Sequence, residues 1–289
     1  MTQTRILVTG ASGTVGSAVV AALEARHIDF SVMRSHADAS PGKHPVVIGD
    51  YARRETLRAA FAGFDVVFLL QPLLPDLVTH GKNAIAAAEA AGVKLLIRMS
   101  GAGADVDSPF AIGRAHGAID QALQTSGLNW TLLRPSFFMQ NHLTFNRAQI
   151  QAGRYHAAQG DGQIGLIDVR DIADSVVAVL TDLAAHRGKT YVLTGGEALS
   201  NEQQMTQLGT AAGHPVSYVD IPASAAEEAM QGMGMPPIVV EWLLSLHAIV
   251  RAGYAAGLSN DVLALTGKPP RRFADFAKEY AMAWQTPQP

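Results

Sequence analysis

Residues 5–23, RILVTGASGTVGSAVVAAL, decide the fold. The short apolar run at the front reads as a buried strand, and VGSAVVAAL carries the periodicity of a helix. Between them Gly10, Gly13 and Gly16 form G-x-x-G-x-x-G, with Ser12, Thr14 and Val15 supplying the backbone in between. The first glycine turns the chain, the second lets backbone approach a pyrophosphate, and the third lets helix pack close on strand. The helix N-terminus then offers free N–H groups and a positive dipole end to phosphate. A strand, glycine turn and helix in this order predict a dinucleotide site.

Working outward, the alternation continues. DFSVMRS and PVVIGD predict strands, RETLRAAFAG a helix, DVVFLL a strand, and DLVTHGKNAIAAAEAAG a long helix closed by Gly92. VKLLIRMSG, AIGRAHGAIDQALQTSG and NWTLLRP extend it as strand, helix and strand. Continuously apolar strands separated by helices predict a doubly wound α/β fold, a Rossmann-like parallel sheet covered on both faces. IGLIDVRDIADSVVAVL and KTYVLTGG predict a strand-helix-strand piece that returns to this sheet. The expected organisation is an NAD(P)-binding domain over 1–150, joined by 164–196, and a smaller, mainly helical substrate lobe over 197–289.

Which dinucleotide binds depends on the end of the second strand. An acidic residue there would pair with the ribose 2′-hydroxyl of NAD. Here Arg34 and Ser35 stand in its place, with His36 beside them. A guanidinium fork suits a 2′-phosphate, so NADP(H) is the expected cofactor.

Composition sets the outer limits. The chain has 289 residues, a net charge of −3, 16% charged residues and no block of Lys or Arg, which argues against a nucleic-acid face. It has no cysteine, so disulfides, thiol nucleophiles and Cys-bound metals are excluded. Its ten histidines show no H-E-x-x-H pairing, so no metal site is expected. No signal-peptide pattern precedes the first strand, and PIVVEWLLSLHAIV is too short and too interrupted to span a bilayer. The expectation is a cytoplasmic protein with no membrane partner.

VTGASGTVG, VIGDYARRETLRAAFAGFDVVFLL, HGAIDQALQTSGLNWTLLRPSFFMQN, IDVRDIADSVVAVL and LTGKPPRRFADFAKEYAMAW together resemble the NmrA-like branch of the atypical short-chain dehydrogenases/reductases. That branch includes quinone and triphenylmethane-dye reductases as well as redox-sensing regulators. The resemblance implies that Asp50 contacts the adenine amino group, with Tyr51 beside it. It implies that Leu70, Gln71 and Pro72 lie along the adenosine ribose and diphosphate. It also implies that Pro135, Ser136, Phe137 and Phe138 line the nicotinamide, with Phe137 and Phe138 divided between core and site.

Reductases of the superfamily commonly use Tyr-x-x-x-Lys, the tyrosine acting as acid. On the matching helix His116 takes the lysine position, Asp120 a nearby acidic position, and Ile112 the tyrosine position. Shifting by two brings Phe110 and Arg114, which carry no phenol either. Ser100, ending the fifth strand, and His116 are therefore the catalytic candidates, His116 as acid or as a contact to ribose or substrate. Without a strong acid, the expected substrate is a small hydrophobic aromatic or conjugated acceptor, such as a quinone. The expected activity is NADPH-dependent hydride transfer; the alternatives are an NADP(H)-sensing regulator or an NADP-dependent isomerase. PPIVVEWLLSLHAIVRAG, with AMQGMGM, predicts either a lid over the acceptor or packing, including packing against a second copy in a homodimer. His142 and Phe145 are expected to point toward that region. Of Asp168 and Asp171, Asp171 is expected to open the following helix.

Overall fold

The structure, a computed structural model, describes residues 4–36 and 43–285. The loop glycine and proline expected at Pro41 and Gly42 lie outside the described residues. In chain order the first elements are β1 (Ile6–Val8), α1 (Thr14–Ala25), β2 (Ser31–Arg34), β3 (Val46–Ile48), α2 (Arg54–Phe61), β4 (Val66–Leu69), α3 (Leu77–Ala90), β5 (Leu95–Met99), α4 (Ala111–Gln124) and β6 (Asn129–Pro135). Then come α5 (Asn141–Thr144), α6 (Arg147–Gln151), β7 (Arg154–Ala157), β8 (Gln163–Ile164), α7 (Val169–Thr181), β9 (Lys189–Leu193) and β10 (Leu199–Ser200). The chain ends in α8 (Asn201–Ala212), β11 (Ser217–Asp220), α9 (Ala223–Gly232), α10 (Pro237–Arg251), α11 (Asp261–Thr266), α12 (Phe273–Glu279) and α13 (Ala281–Trp284).

Two compact units emerge: Met1–Pro109 with Gly113–Arg134 and Ile172–Val192, and Phe110–Ile112 with Pro135–Asp171 and Leu193–Pro289. In the first unit a seven-stranded sheet runs in the order β3-β2-β1-β4-β5-β6-β9. The pairings from β3 through β6 are all parallel. Leu7 sits opposite Ser31 on one side and Val67 on the other. The strand order therefore reverses at β1, and a crevice opens between β1 and β4 beyond the strands' carboxyl ends. β4 shows why the sheet is stable. Val66, Val67, Phe68 and Leu69 are all fully buried, each contributing about 1.5–3 kcal/mol of apolar burial. A strand buried on both faces reads as an unbroken apolar run, as DVVFLL does.

The second unit has its own core. Met139, Ile150, Tyr155, Ile164, Leu166, Met205, Leu208, Phe273, Phe276 and Trp284 form one cluster. Met139 and Ile150, which lie within the first 150 residues, pack in this cluster with residues of the C-terminal helices. The structure also changes the expected strand-helix-strand return. Ile164 pairs antiparallel with Leu199 in a small separate sheet, and only β9 joins the central one. The apolar run was legible, but its partner is chosen by tertiary packing, which periodicity does not encode. A further pair, β7 with β11, is parallel, with Tyr155 opposite Tyr218.

Candidate functional site

The glycine turn has the form of a phosphate cradle. Gly10 has φ +63°, and a Cβ there would stand 2.7 Å from the Leu70 carbonyl oxygen. A Cβ on Gly16 would fall 2.0 Å from the Gly10 carbonyl oxygen, so the helix can approach the turn only as glycine. At Gly13 the space is open apart from Gly10 O at 3.5 Å, and Gly13 caps α1 without a side-chain hydrogen bond. The first-turn N–H groups of Thr14, Val15 and Gly16 have no helical acceptor, so they are left to an anion. Ser12, Gly13 and Thr14 are exposed on this rim, whereas Val15 is buried beneath it. A dinucleotide diphosphate fits this cradle.

Thr9, fully buried, staples the turn to the neighbouring strand. Its hydroxyl lies 3.1 Å and 3.2 Å from the carbonyls of Phe68 and Leu70 and accepts from the Leu70 N–H at 2.9 Å. Leu70, half-buried, thus forms the opposite wall of the crevice. Beyond it Gln71 is held loosely by its amide, 3.5 Å from the Leu77 carbonyl, and Pro72 is exposed. Tyr51 reaches the same strand end, donating to the Leu70 carbonyl at 3.1 Å, and lies 6.2 Å from the His80 ring in a stacked orientation. Asp50 accepts from the Ala52 N–H at 2.9 Å and from Arg53 Nε at 3.0 Å, which together hold its carboxyl below the usual range. Arg34 ends β2 half-buried, followed by exposed Ser35 and His36, whose side chains bond each other at 2.9 Å. The sheet order therefore lines up Arg34, Gly10, Leu70 and Ser100 at successive strand ends along one edge.

The far end of that edge is built around Asp120, on α4. Its carboxylate, 1% exposed, accepts from Arg98 of β5, from Ser100 Oγ at 2.8 Å, and from Nε and Nη2 of Arg134 at 3.0 Å and 2.8 Å. Two cations face one anion. Burial pushes Arg98 down to about 10, against the attraction of Asp120, and it stays charged at neutral pH. The Ser100 hydroxyl proton is directed at a carboxylate, which can only accept. Ser100 is therefore not a free proton donor and offers a ligand only lone pairs.

His116 stands next to this cluster. Its Nδ1 lies 3.1 Å from Arg98 Nη2. A guanidinium has donors only, so Nδ1 accepts and the imidazole proton is on Nε2. Burial first, then the charges of Arg98 and Arg134, push His116 down to about 3. This favours a neutral ring with an N–H to donate, in keeping with the expected role as a contact to ribose or substrate. The ring lies beside the turn after β5, since a Cβ on Gly101 would stand 3.5 Å from Cδ2 and 3.8 Å from Nε2.

In the second unit, Ser136 N–H bonds the Leu193 carbonyl at 2.9 Å, and Pro135 is buried. Phe137 packs against the unit's core, and Phe138, half-buried, joins Ile167 through a backbone bridge. His142 is corrected: it is 4% exposed, sits between Tyr155 and Phe273, and bonds Gln204 and Asn146. Phe145 is 81% exposed. α10 packs through Val240 on Ala158, Ala226 and Met230, with Trp242 and Val250 also buried. Asp168 supplies the turn at the start of α7 by accepting the Arg170 N–H at 2.9 Å, while Asp171 holds Arg271. Among the described residues no group of three metal-ligating side chains occurs, and no helix is long and apolar enough to cross a membrane.

Thr9, Arg98 and Arg134 were missed by sequence reasoning. A basic residue inside the apolar strand VKLLIRMSG was the available signal, since a buried arginine needs a partner.

A doubly wound sheet with a glycine cradle at its switch point defines a nucleotide-binding domain of the dehydrogenase type. The chain belongs to the NAD(P)H-binding family, whose match spans residues 10–183, and it is an NAD(P)H-dependent oxidoreductase. It is 40% identical to an NAD(P)H azoreductase of Xenophilus azovorans over 285 residues, covering 96% of this chain and 99% of the relative. It is 35% identical to a (4-alkanoyl-5-oxo-2,5-dihydrofuran-3-yl)methyl phosphate reductase of Streptomyces griseus, covering 96% and 99%. The structure of an NADPH-dependent quinone oxidoreductase from Escherichia coli in complex with NADPH superposes with a TM-score of 0.82 at 27% identity, covering 95% and 99%.

Proposed function

We propose that this protein uses NADPH to reduce a quinone-like, azo or otherwise conjugated aromatic or carbonyl acceptor. The observation that carries the reading is the His116 N–H on α4, a helix where Ile112 stands at the position of a tyrosine acid. Such a donor can hydrogen-bond a developing negative charge but is a poor acid. The acceptor must then spread its charge and take its proton from water. The acceptors named for the similar proteins, an azo compound, a quinone and an unsaturated furanone, share that property.

When bound, NADPH supplies the hydride; a quinone that takes it up together with one proton becomes a hydroquinone. The chain's part is to bind and to orient. The backbone amides of Gly13 to Gly16 hold the diphosphate, Arg34 and Ser35 recognise the 2′-phosphate, and Asp50 and Tyr51 border the adenine. Leu70, Gln71 and Pro72 run along the adenosine, Ser100 and His116 meet the reacting end, and Pro135 to Phe138 line the nicotinamide. Positioning and exclusion of water supply most of the acceleration. A cytoplasmic location, among reduced nicotinamide pools, suits this chemistry and is checked by cell fractionation. A homodimer, suggested by the half-exposed apolar residues Leu243, Leu244 and Leu246 of α10, is checked by sedimentation velocity.

The test is loss of reduced-nicotinamide absorbance with a panel of quinones, azo dyes and enones. Turnover with conjugated acceptors and none with simple aldehydes is expected. Tight NADPH binding without turnover on any acceptor overturns the reading in favour of a sensor.

A further inference from the structure

Arg98 is the one described donor to Oδ1 of Asp120, while Arg134, at 3.0 Å and 2.8 Å, and Ser100, at 2.8 Å, all meet Oδ2. Two arginines thus meet one carboxylate, and Arg98, 1% exposed, has no second ion pair among the described residues. Its Nε is also left without a hydrogen-bond partner. Burying a cation beyond the available anion is unfavourable, and such violations concentrate where function requires them. Besides its bond to Asp120 Oδ1, Arg98 alone supplies the contact from Nη2 to Nδ1 of His116.

A neutral imidazole can carry its proton on either nitrogen, and the partner of one nitrogen fixes the state of the other. We propose that Arg98 is a positioning residue for the reduction: by donating to Nδ1 it holds the His116 proton on Nε2 and presents that N–H to the acceptor at the Gly101 turn. This rests on the reductase reading given above. The extra cation also polarises the ring, strengthening the N–H as a donor to a developing oxyanion or nitrogen anion without releasing a proton. The charges of Arg98 and Arg134 both oppose an imidazolium there.

The rival account is a staple in which Arg98 merely ties β5 to α4 through Asp120. The two accounts separate in a double-variant cycle. Arg98→Met is made alone and together with His116→Gln, whose amide N–H needs no tautomer. Through His116, the loss in kcat from Arg98→Met is about tenfold in the natural background and under about twofold in the glutamine background, with NADPH affinity unchanged in both. A staple predicts equal losses in the two backgrounds, and that result overturns the proposal.

The second readout needs no activity. Nitrogen-15 NMR of the histidine side chains, with His116 assigned by its absence in His116→Gln, is expected to show an Nε2–H ring in the natural protein. In Arg98→Met, the proton is expected to be shared between the two nitrogens. Arg98→Lys, which keeps the charge beside Asp120 but loses the fork, serves if the methionine variant does not fold, and the same loss of tautomer is expected. An Nε2–H ring that survives both substitutions overturns the role of Arg98 and leaves the reductase reading standing. Absence of turnover in the natural protein overturns that reading and the catalytic half of this proposal, whatever the tautomer.

Discussion

Each unit buries an aspartate against arginine, and the two clusters balance in opposite directions. In the first, Asp120 faces Arg98 and Arg134, two cations for one anion. In the second, Arg170 is shared by Asp168, fully buried, at 2.6 Å and by Glu279 at 2.8 Å, one cation for two anions. Burial pushes Asp168 up, but hydrogen bonds from the Arg170 side chain and backbone outweigh it and leave the carboxyl below its ordinary value. Gln140 adds a further donor at 2.9 Å. Every group around Asp168 has a partner within the unit. The Asp120 cluster instead keeps a surplus positive charge, an unpartnered Nε and a histidine held neutral beside it. The saturated cluster is scaffolding, and the unsaturated one, at a strand's carboxyl end, is the one proposed to meet a ligand.

Removing the hub of each cluster tests that contrast most severely. Asp120→Ala leaves two arginines, one fully buried, without their anion, and is expected to cost about 3–5 kcal/mol in urea unfolding. Arg170→Ala is expected to cost about 1–2 kcal/mol, because Asp168 keeps Gln140 and the residue-170 N–H and the arginine itself is partly exposed. Equal costs would break the comparison. If Asp120→Ala were the milder change, the cluster would not be the strained one.

The contrast also explains what the sequence could disclose. The parallel sheet was legible because DVVFLL and the other strands are apolar throughout and the helices between them are periodic. The cradle was legible because Gly10 and Gly16 occupy positions where a Cβ collides with backbone. The Asp120 cluster was only half legible. The α4 pattern singled out His116 and Asp120, but Arg98 and Arg134 join them from β5 and β6, at sequence distances of 22 and 14 from Asp120. Charge pairing across such distances follows from strand order, which no local pattern records. The same limit explains His142, read as pocket-facing from its place after β6 and found instead among core residues whose partners lie about sixty positions away.

A smaller effect sharpens the reason for each neutral histidine. His116 is neutral from burial together with two cations, whereas His142 is pushed down to about 4 by burial, with the Gln204 hydrogen bond pulling the other way. An unfolded histidine titrates at its ordinary value, so below that value the unfolded chain binds a proton that folded His142 refuses. Stability attributable to His142 is therefore full above about pH 6.5 and falls as pH drops toward and below 4, by about 3 kcal/mol in all. His142→Asn lowers stability at neutral pH but is expected to flatten this acid slope by that amount. An unchanged slope between pH 6.5 and 4.5 would show that His142 accepts its proton in the folded state.

The smallest effect concerns the other end of the same strand edge, where Arg34 is a cation of a different kind. It stands half-buried at the end of β2, with exposed Ser35 and His36 following. If Arg34 meets a 2′-phosphate while the surplus charge at Asp120 serves the reacting end, the two cations act on separable quantities. Arg34→Ala is then expected to lower the preference for NADPH over NADH by about tenfold, close to 1.4 kcal/mol, through KM for NADPH. It should leave kcat at saturating cofactor unchanged, whereas Arg98→Met does the reverse. The measurement is kcat and KM with both nucleotides for each variant. A fall in kcat for Arg34→Ala at saturation would mean that the edge does not divide into a recognising end and a reacting end, and the cation count at Asp120 would lose its special meaning.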